Sequence, residues 1–226
     1  MKNLEKKVNK FQKTFEKQFV ATVPDANVFR LLVNKNFNFK NKNILDIGIG
    51  YGANLLEFKN RGAKIFGIDI RSKILKHIVK KNSLNSKNFF ANDLNINFPN
   101  LKKKMDLVLC KDTIYYLNKN KQFFLFKNID KILNKNGYFL FQYIQSQFQQ
   151  KNKDNYSFSL NSKPYFKLLL KFFDKKNPIV FLKEKHIKKL IKHTKLKIKN
   201  NFFDISMNIK NQKVIISVNR FILLQK

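Results

Sequence analysis

The stretch Asn43–Gly52 constrains the fold of this chain more than any other, because three glycines at alternate positions directly follow a short apolar run. The apolar run is typical of a strand buried on both faces and consists of Ile44, Leu45 and Ile47. The glycines, which permit a sharp turn and a close backbone approach to a ligand, are Gly48, Gly50 and Gly52. A helix beginning near Ala53 would direct its free amide groups at that ligand. The stretch therefore predicts a strand, a ligand-binding turn and a helix.

Strand and helix patterns alternate along the rest of the chain. Further strands are predicted at Lys64–Asp69, Asn88–Ala91, Asp106–Cys110 and Tyr138–Ile144. Helices are predicted at Ile70–Lys81, Gln122–Leu133 and Lys183–His193. Gly137 is expected to stop the second of these helices in the left-handed conformation. The last two strand patterns, which predict a hairpin, are Leu196–Met207 and Val214–Leu224. We predict an α/β fold: a Rossmann-like, doubly wound, mostly parallel seven-stranded sheet with an antiparallel C-terminal hairpin.

Two segments depart from this alternation. The N-terminal segment carries an apolar stripe at helical spacing, formed by Leu4, Val8, Phe11, Phe15 and Phe19. An ordinary packed helix, a lid over the ligand site and a membrane-surface helix all remain open for it. Residues 1–40 are thus predicted to form a helical cap on a main domain of residues 41–226. A polar insertion is expected at about 145–180, on the edge of the sheet where ligands bind.

Composition narrows the class of protein further. The single cysteine and the lysine-rich start of the chain, which lacks the apolar core of a signal peptide, predict a cytoplasmic protein. No apolar run approaches the roughly 18 residues of a membrane span. The net charge of +33 is compatible with nucleic-acid binding. However, the excess is nearly all lysine and accompanies abundant Asn, Ile and Phe, as A/T-rich codons would produce without any demand from function.

Four stretches in this order resemble the class I S-adenosylmethionine-dependent methyltransferases. The first is the turn in Leu45–Gly52, where an acidic residue precedes G-x-G-x-G; a dinucleotide site would have G-x-G-x-x-G instead. The second is Asp69 at the end of the next strand, and the third is Asn92–Asp93 after the strand beyond it. The fourth is Asp106–Leu117, similar to the family's fourth strand and the loop that follows it. The resemblance is good over Val28–Ile144 and implies S-adenosyl-L-methionine as the cofactor.

The resemblance also implies roles for individual residues. Asp69 would accept hydrogen bonds from the ribose hydroxyls, although its charge would also suit the start of the following helix. Asp93 would accept from the adenine amino group, with the Leu94 N–H near a ring nitrogen, although an Asp in a turn is common. Asp46 would orient the glycine turn or meet the methionine amino group indirectly. The implied cofactor-binding residues are Asp46, Gly48, Gly50, Gly52, Asp69, Ile70, Asn92, Asp93, Leu94 and Lys111.

Methyl transfer needs an aligned nucleophile, and it needs a base only if the acceptor still holds its proton. The candidate bases, in falling order, are Asp112, Tyr115, His186 and His193; Asp112 and Tyr115 are the predicted catalytic residues. Tyr115 or Tyr116 could line the acceptor pocket. The two histidines lack companion ligands and are expected at the surface, not on a metal. Cys110 ends an apolar strand without the neighbouring proline of a cytosine methyltransferase, which predicts a buried structural thiol.

The predicted function is methyl transfer to the oxygen or nitrogen of a small-molecule or metabolite-like acceptor, held between the N-terminal helix and the insertion. An RNA methyltransferase is the alternative, favoured by the net charge and by aromatic residues interleaved with lysine in the insertion. The N-P-P-Y-like tetrapeptide of many amino-methylating nucleic-acid enzymes is absent; its place holds residues 111–114. A non-catalytic RNA-binding protein that retains the fold is a second alternative. No membrane partner is expected, and the pattern leaves the oligomeric state open.

Overall fold

A central sheet with helices on both faces organises the chain. The computed structural model describes residues 23–150, 158–159, 184–210 and 213–226. Five parallel strands form one half of the sheet in the order β3-β2-β1-β4-β5. They are β1 (Asn43–Ile47), β2 (Lys64–Asp69), β3 (Phe89–Ala91), β4 (Met105–Lys111) and β5 (Leu133–Gln150).

The other half of the sheet is antiparallel. The two-residue β6 (Phe158–Ser159) pairs with β5, and β7 (Lys197–Lys210) pairs with β8 (Lys213–Gln225). The strand β8 lies between β5 and β7 and runs antiparallel to both. The full strand order is β3-β2-β1-β4-β5-β8-β7, which is seven strands, with β6 paired to β5 outside this order. This arrangement confirms the predicted Rossmann-like, doubly wound sheet with its C-terminal hairpin.

Short amphipathic helices cover both faces of the sheet. They are α1 (Ala26–Val33), α2 (Ala53–Asn60), α3 (Ser72–Lys81), α4 (Lys119–Ile132) and α5 (Glu184–Lys192), with 3-10 turns at Ser86–Asn88 and Ile114–Tyr116. Asp25 caps α1, because its side chain accepts from the backbone N–H of Asn27 at 2.9 Å. Within the described part of the chain, no helix has both the length and the apolar character needed to cross a membrane.

Two hydrophobic cores lie on opposite faces of the sheet, and β4 contributes to both. Val108 and Cys110 pack into the core beneath α4 and α5, while Leu107 and Leu109 pack into the core beneath α1, α2 and α3. This period of two is that of a strand covered on both sides. Cys110 is fully buried and unpaired, and burial raises the pKa of its thiol far above the ordinary value, which confirms the predicted structural role.

The end of α4 differs from the prediction. The strand β5 begins at Leu133, directly after the helix, and the left-handed residue is Asn136 with φ of 66°, not Gly137. Gly137 instead allows a close approach of backbone, since a Cβ there would lie 3.0 Å from the carbonyl oxygen of Asn134 and 3.1 Å from that of Met105. The prediction that Gly137 stops the helix in the left-handed conformation was therefore wrong.

The strand β5 is longer than its sequence pattern indicated. It was predicted to end at Ile144 but continues to Gln150, paired with β8 as far as Gln149. The remainder of the range assigned to the insertion lies outside the described residues, apart from β6. The N-terminal apolar stripe, Leu4 to Phe19, also lies outside them.

A buried glutamine in α4 holds the loop that follows β4. The Nε2 group of Gln122 donates to the carbonyls of Ile114 and Leu117 at 3.2 and 2.9 Å, and the side chain is fully buried. Its Oε1 lies 2.7 Å from the Nε2 of His186 in α5, so the histidine donates to it. One amide thereby links two helices to the 3-10 turn beyond β4.

We predict that Gln122→Leu lowers the free energy of unfolding by about 2–3 kcal/mol, because two buried carbonyls lose their donor and leucine offers none. Urea unfolding followed by circular dichroism measures the change. The control is Lys127→Leu on the exposed face of the same helix, which is expected to stay within about 0.5 kcal/mol of wild type. Equal effects of the two substitutions would contradict this role for Gln122.

Candidate functional site

The carboxyl ends of the parallel strands bring together the polar residues that the sequence singled out. Asp46 in β1 lies opposite Gly67 of β2, and Asp69 ends β2 opposite Ala91 of β3. The backbone N–H of Asn92 donates to the carbonyl of Asp69 at 3.0 Å, which ties the end of β3 to that of β2. Because these strand ends share one edge, their side chains form a single polar site, as is usual for open α/β sheets.

The glycine turn between β1 and α2 is fixed by hydrogen bonds to β2. The N–H of Gly48 donates to the carbonyl of Ile68 at 2.7 Å, and the N–H of Gly50 donates to Oδ2 of Asp69 at 3.1 Å. Both glycines adopt positive φ, 76° and 57°, which few other residues tolerate. The turn therefore has the sharp geometry that the glycine spacing predicts.

The glycines of the turn face different surroundings. A Cβ on Gly48 would lie 1.9 Å from Oγ1 of Thr113, so packing of the loop after β4 requires a glycine there. A Cβ on Gly50 would find, among the described residues, only Nη2 of Arg71 within 4 Å, at 3.9 Å. Gly52, the N-terminal cap of α2, has φ of 83° and packs near Ile78. Gly50 is thus the position where the backbone is open to a ligand.

Asp69 is buried and forms a bidentate ion pair with Arg71. The guanidinium donates from Nε to Oδ1 at 3.0 Å and from Nη2 to Oδ2 at 3.1 Å. The backbone N–H of Arg71 also donates to Oδ1, at 2.9 Å. Both side chains are nearly inaccessible, at 5% and 2% exposed. The guanidinium also lies over the ring of Tyr51, 5.8 Å from its centroid.

Asp46 is a buried carboxylate, 3% exposed, that interacts electrostatically with Asp69 and Lys111. Burial raises the pKa of Asp46 to about 7, the charge of Asp69 adds to the rise, and the Lys111 ammonium opposes it. A carboxyl group that titrates near neutrality at a ligand-binding edge is typical of functional sites. It is suited to receive a cationic group of a ligand.

The residues after β3 form a compact turn beside this edge. Asp93 is buried and its Oδ1 accepts from the backbone N–H of Asn95 at 2.8 Å, which is an Asx turn. The side chain of Asn92 donates to the carbonyl of Asn97 at 2.7 Å. Ile70 and Leu94 are both half-buried. The turn thus brings Asp93 and Leu94 to the edge of the sheet where β2 ends at Asp69.

The end of β4 carries a network of charged and phenolic groups. Nζ of Lys111 lies 2.6 Å from Oδ2 of Asp112 and 3.4 Å from Oδ2 of Asp25. The hydroxyl of Tyr115 donates to Oδ1 of Asp112 at 3.3 Å. Burial alone would lower the pKa of Lys111, but the two carboxylates outweigh it and raise that pKa above its ordinary value. The lysine is therefore a fixed cation at this end of the site.

Asp112 is held in an unusual backbone conformation. Its φ is 52°, a region that Asp tolerates better than most residues, and its N–H donates to Oε1 of Gln142 at 3.1 Å. The Gln142 side chain is buried and donates in turn to Oδ1 of Asn219 in β8 at 3.0 Å. These bonds present the Asp112 carboxylate, 43% exposed, to solvent at the edge of the sheet.

The two histidine candidates lie elsewhere. His186 is half-buried against Gln122, and burial, Lys119 and Lys189 lower its pKa. His193 is exposed, as predicted, and its ring packs edge-on against Phe123 at 5.7 Å. Among the residues that the structure describes, no three His, Cys, Asp or Glu side chains are grouped as metal ligands would be. The site therefore brings together Asp112 and Tyr115 but neither histidine.

Sequence reasoning missed three contributors to the site, namely Arg71, Asp25 and Gln142. Arg71 had a usable signal, because a rare arginine two residues after a strand-ending Asp is within reach of its carboxylate. Asp25 was recognisable as a helix cap, but no local pattern connects it to Lys111. Gln142 gave no signal at all, because its role depends on strand pairing between β4 and β5.

Comparison with known proteins identifies the class that this fold and site define. A family model described as a methyltransferase domain matches residues 19–192, so the chain belongs to that family, the class I S-adenosylmethionine-dependent methyltransferases. The predicted family, enzyme class and cofactor are thereby confirmed at the level of the family. The site residues fit such a cofactor, since Asp46 is a buried carboxylate at the strand ends and Gly50 is open to a ligand.

The chain is also similar to individual methyltransferases of known sequence or structure. It is 26% identical over 166 residues to the ribosomal RNA small subunit methyltransferase A of Mycoplasmopsis synoviae, covering 69% of this chain and 60% of that protein. The chain thus spans less than two thirds of this relative's length. A crystal structure of an S-adenosylmethionine-dependent methyltransferase from Clostridium acetobutylicum aligns with TM-score 0.64 and 17% identity, covering 96% of this chain and 98% of that one. The magnesium protoporphyrin IX methyltransferase of Synechocystis, solved with S-adenosylhomocysteine, aligns with TM-score 0.61 and 16% identity over 88% and 80%.

We predict that Asp46→Asn stabilises the protein most above pH 7 and by less than half as much at pH 5. The folded-state pKa of about 7 exceeds the ordinary carboxyl value of 3.8, so the wild-type protein loses stability as the pH rises through that range, whereas asparagine does not titrate. The gain at pH 8 is on the order of 2–4 kcal/mol. Urea unfolding at both pH values measures it, with Glu57→Gln as the control. A gain of equal size at pH 5 and pH 8 would contradict the assignment.

Proposed function

We propose that this chain transfers a methyl group from S-adenosylmethionine to an oxygen or nitrogen of a small-molecule or metabolite-like acceptor. The observation that carries the proposal is the Asp112 carboxylate, accessible at the end of β4 and held by Lys111 and Tyr115. A carboxylate fixed at the edge of the cofactor site is placed to remove a proton from an acceptor. Family membership supports the cofactor, and this network supports the chemistry.

The residues at the strand ends would hold the cofactor in parts. Asp46 would meet the cationic methionine end, Asp69 the ribose, and Asp93 with Ile70 and Leu94 the adenine. Lys111 would contribute positive charge near the methionine carboxylate, and the glycine turn would let the backbone approach. When bound, S-adenosylmethionine supplies an electrophilic methyl group on a positively charged sulfur.

Asp112 would act as the general base. As the acceptor attacks the methyl carbon, its proton would pass to a carboxylate oxygen of Asp112, while Lys111 balances the charge of that carboxylate. Gln142 and Tyr115 would keep the base in place through the backbone N–H and Oδ1 of Asp112. Because alignment of the reacting atoms contributes much of the rate, these positioning bonds would matter as much as the base itself.

The N-terminal cap would cover the acceptor. Asp25 contacts Lys111, and its backbone N–H donates to the side chain of Asn54 in α2 at 2.8 Å. The start of α1 is therefore held against the site. Together with the predicted insertion, the cap would enclose a small acceptor and exclude water.

An RNA acceptor is the second candidate. The relative from Mycoplasmopsis synoviae is a ribosomal RNA methyltransferase, and the net charge of +33 would favour phosphate binding. Against it, residues 111–114 depart from the tetrapeptide that many amino-methylating nucleic-acid enzymes use. Acceptor fractionation separates the two candidates.

We predict that the protein binds S-adenosylhomocysteine with micromolar or tighter affinity in calorimetry, and that Asp69→Ala abolishes binding while Glu57→Ala does not. Circular dichroism checks that each variant is folded. Failure of the wild type to bind would overturn the cofactor assignment. Transfer of tritiated methyl groups in cell extract then identifies the acceptor: label in the small-molecule fraction supports the proposal, and label in RNA with steep salt dependence supports the second candidate.

We predict that Asp112→Asn lowers kcat by about 10²–10⁴-fold, because asparagine cannot accept the proton, and leaves the affinity for S-adenosylhomocysteine within about threefold. Tyr115→Phe should cause a smaller loss, since it removes one hydrogen bond to the base. Tyr138→Phe, near the start of β5 and away from the strand ends that form the site, is the matched control. Steady-state assays on the acceptor found above provide the measurement, and an unchanged kcat in Asp112→Asn would remove Asp112 from the mechanism.

A further inference from the structure

The Asp69 carboxylate has no acceptor position left for a ligand. A carboxylate offers about four lone-pair sites, two on each oxygen. Oδ1 accepts from the backbone N–H and the Nε of Arg71, and Oδ2 accepts from Nη2 of Arg71 and from the N–H of Gly50. Four donors therefore fill four sites. Two ribose hydroxyls that donate to Asp69 would have to replace two of these bonds.

The bonds to the guanidinium are the ones that can be replaced. The two backbone donors belong to the glycine turn and to the start of α3, so their loss would require those elements to move. The guanidinium sits at the end of a flexible side chain, and rotation of its torsions removes both bonds at once. Its Nη2 also lies next to Gly50, at the position where the turn is open to a ligand.

We propose that Arg71 occupies the ribose subsite in the cofactor-free protein, and that the guanidinium leaves Asp69 when the ribose hydroxyls bind. The inference rests on the proposed cofactor. Arg71 is thereby a determinant of cofactor affinity, because the cofactor binds only to molecules in which this buried ion pair is open. The apparent affinity for the cofactor equals the intrinsic affinity multiplied by the fraction of molecules with the pair open.

The ring of Tyr51 would provide a cation–π contact for the released guanidinium. This ring is more than a third exposed and already lies 5.8 Å from the guanidinium carbon. An arginine at the surface of an aromatic ring retains a favourable interaction and regains contact with water. In the proposed open state the guanidinium would keep its contact with Tyr51 and turn towards solvent.

The wild-type protein allows a direct test by NMR of arginine side chains. The chain contains four arginines, so at most four Nε–H signals arise, and Arg71→Lys identifies the one from Arg71. In the free protein this signal should be protected from exchange with solvent, because Nε is bonded to buried Asp69. Saturation with S-adenosylhomocysteine should shift it and raise its exchange rate by about tenfold or more. A signal that stays protected in the bound protein overturns the inference.

A pair of variants tests the competition by affinity. Arg71→Met removes the guanidinium and keeps the length of the side chain, and Lys73→Met, on the exposed face of α3, removes a charge nearby. Arg71→Met should bind S-adenosylhomocysteine on the order of tenfold more tightly than wild type, whereas Lys73→Met should not. The gain should also appear with adenosine and vanish with 2′,3′-dideoxyadenosine, which lacks the competing hydroxyls.

The outcomes separate the inference from the proposed function. If no form of the protein binds S-adenosylhomocysteine, the cofactor assignment fails. If the wild type binds and Arg71→Met, shown to be folded by circular dichroism, binds more weakly or equally, Arg71 only positions Asp69 and the inference is wrong. Should Arg71→Met not fold, the exchange rate of the Arg71 Nε–H in the wild type decides alone.

Discussion

The hydrogen bonds to the buried Asp69 carboxylate hold this edge of the sheet together. The carboxylate receives the N–H of Gly50 from the turn after β1 and three donors from Arg71, so it sets the position of the turn relative to β2. Charge-assisted hydrogen bonds of this kind are stronger than neutral ones, and burial protects them from water. The Asp69 carboxylate is also expected to bind the ligand. The same two oxygen atoms therefore serve both the folded structure and ligand binding.

The architecture was accessible from sequence because its signals are local. Buried parallel strands appear as short apolar runs, and their acidic ends could be placed at one edge from topology alone. The misplaced left-handed residue shows where local signals fail. A glycine and an asparagine both suit positive φ, and the choice of Asn136 depends on the backbone of Met105 pressing against Gly137 from another strand. The true length of β5 likewise depends on its pairing with β8.

The sequence indicated which residues lie at the candidate site, but it did not indicate which of them contact one another. Asp69, Asp93 and Asp112 could be selected because each follows or ends a strand pattern, and Asp46 because it precedes the glycine turn. Contacts such as Asp25 with Lys111 join residues that are distant in the chain, and no periodicity encodes them. The arginines carried more information than their number suggested. Each of the four lies over an aromatic ring, as do Lys121 and Lys189 among the described lysines.

The buried Asp46 couples this site to the proton concentration of its surroundings. Because its pKa is about 7, the carboxyl group is about half protonated at neutral pH, and binding of a cationic group beside it would expel that proton into the solvent. The heat of such a binding reaction would then include the ionisation heat of the buffer and would differ between phosphate and Tris. Acidification below that pKa would therefore weaken the binding of a cationic group beside Asp46.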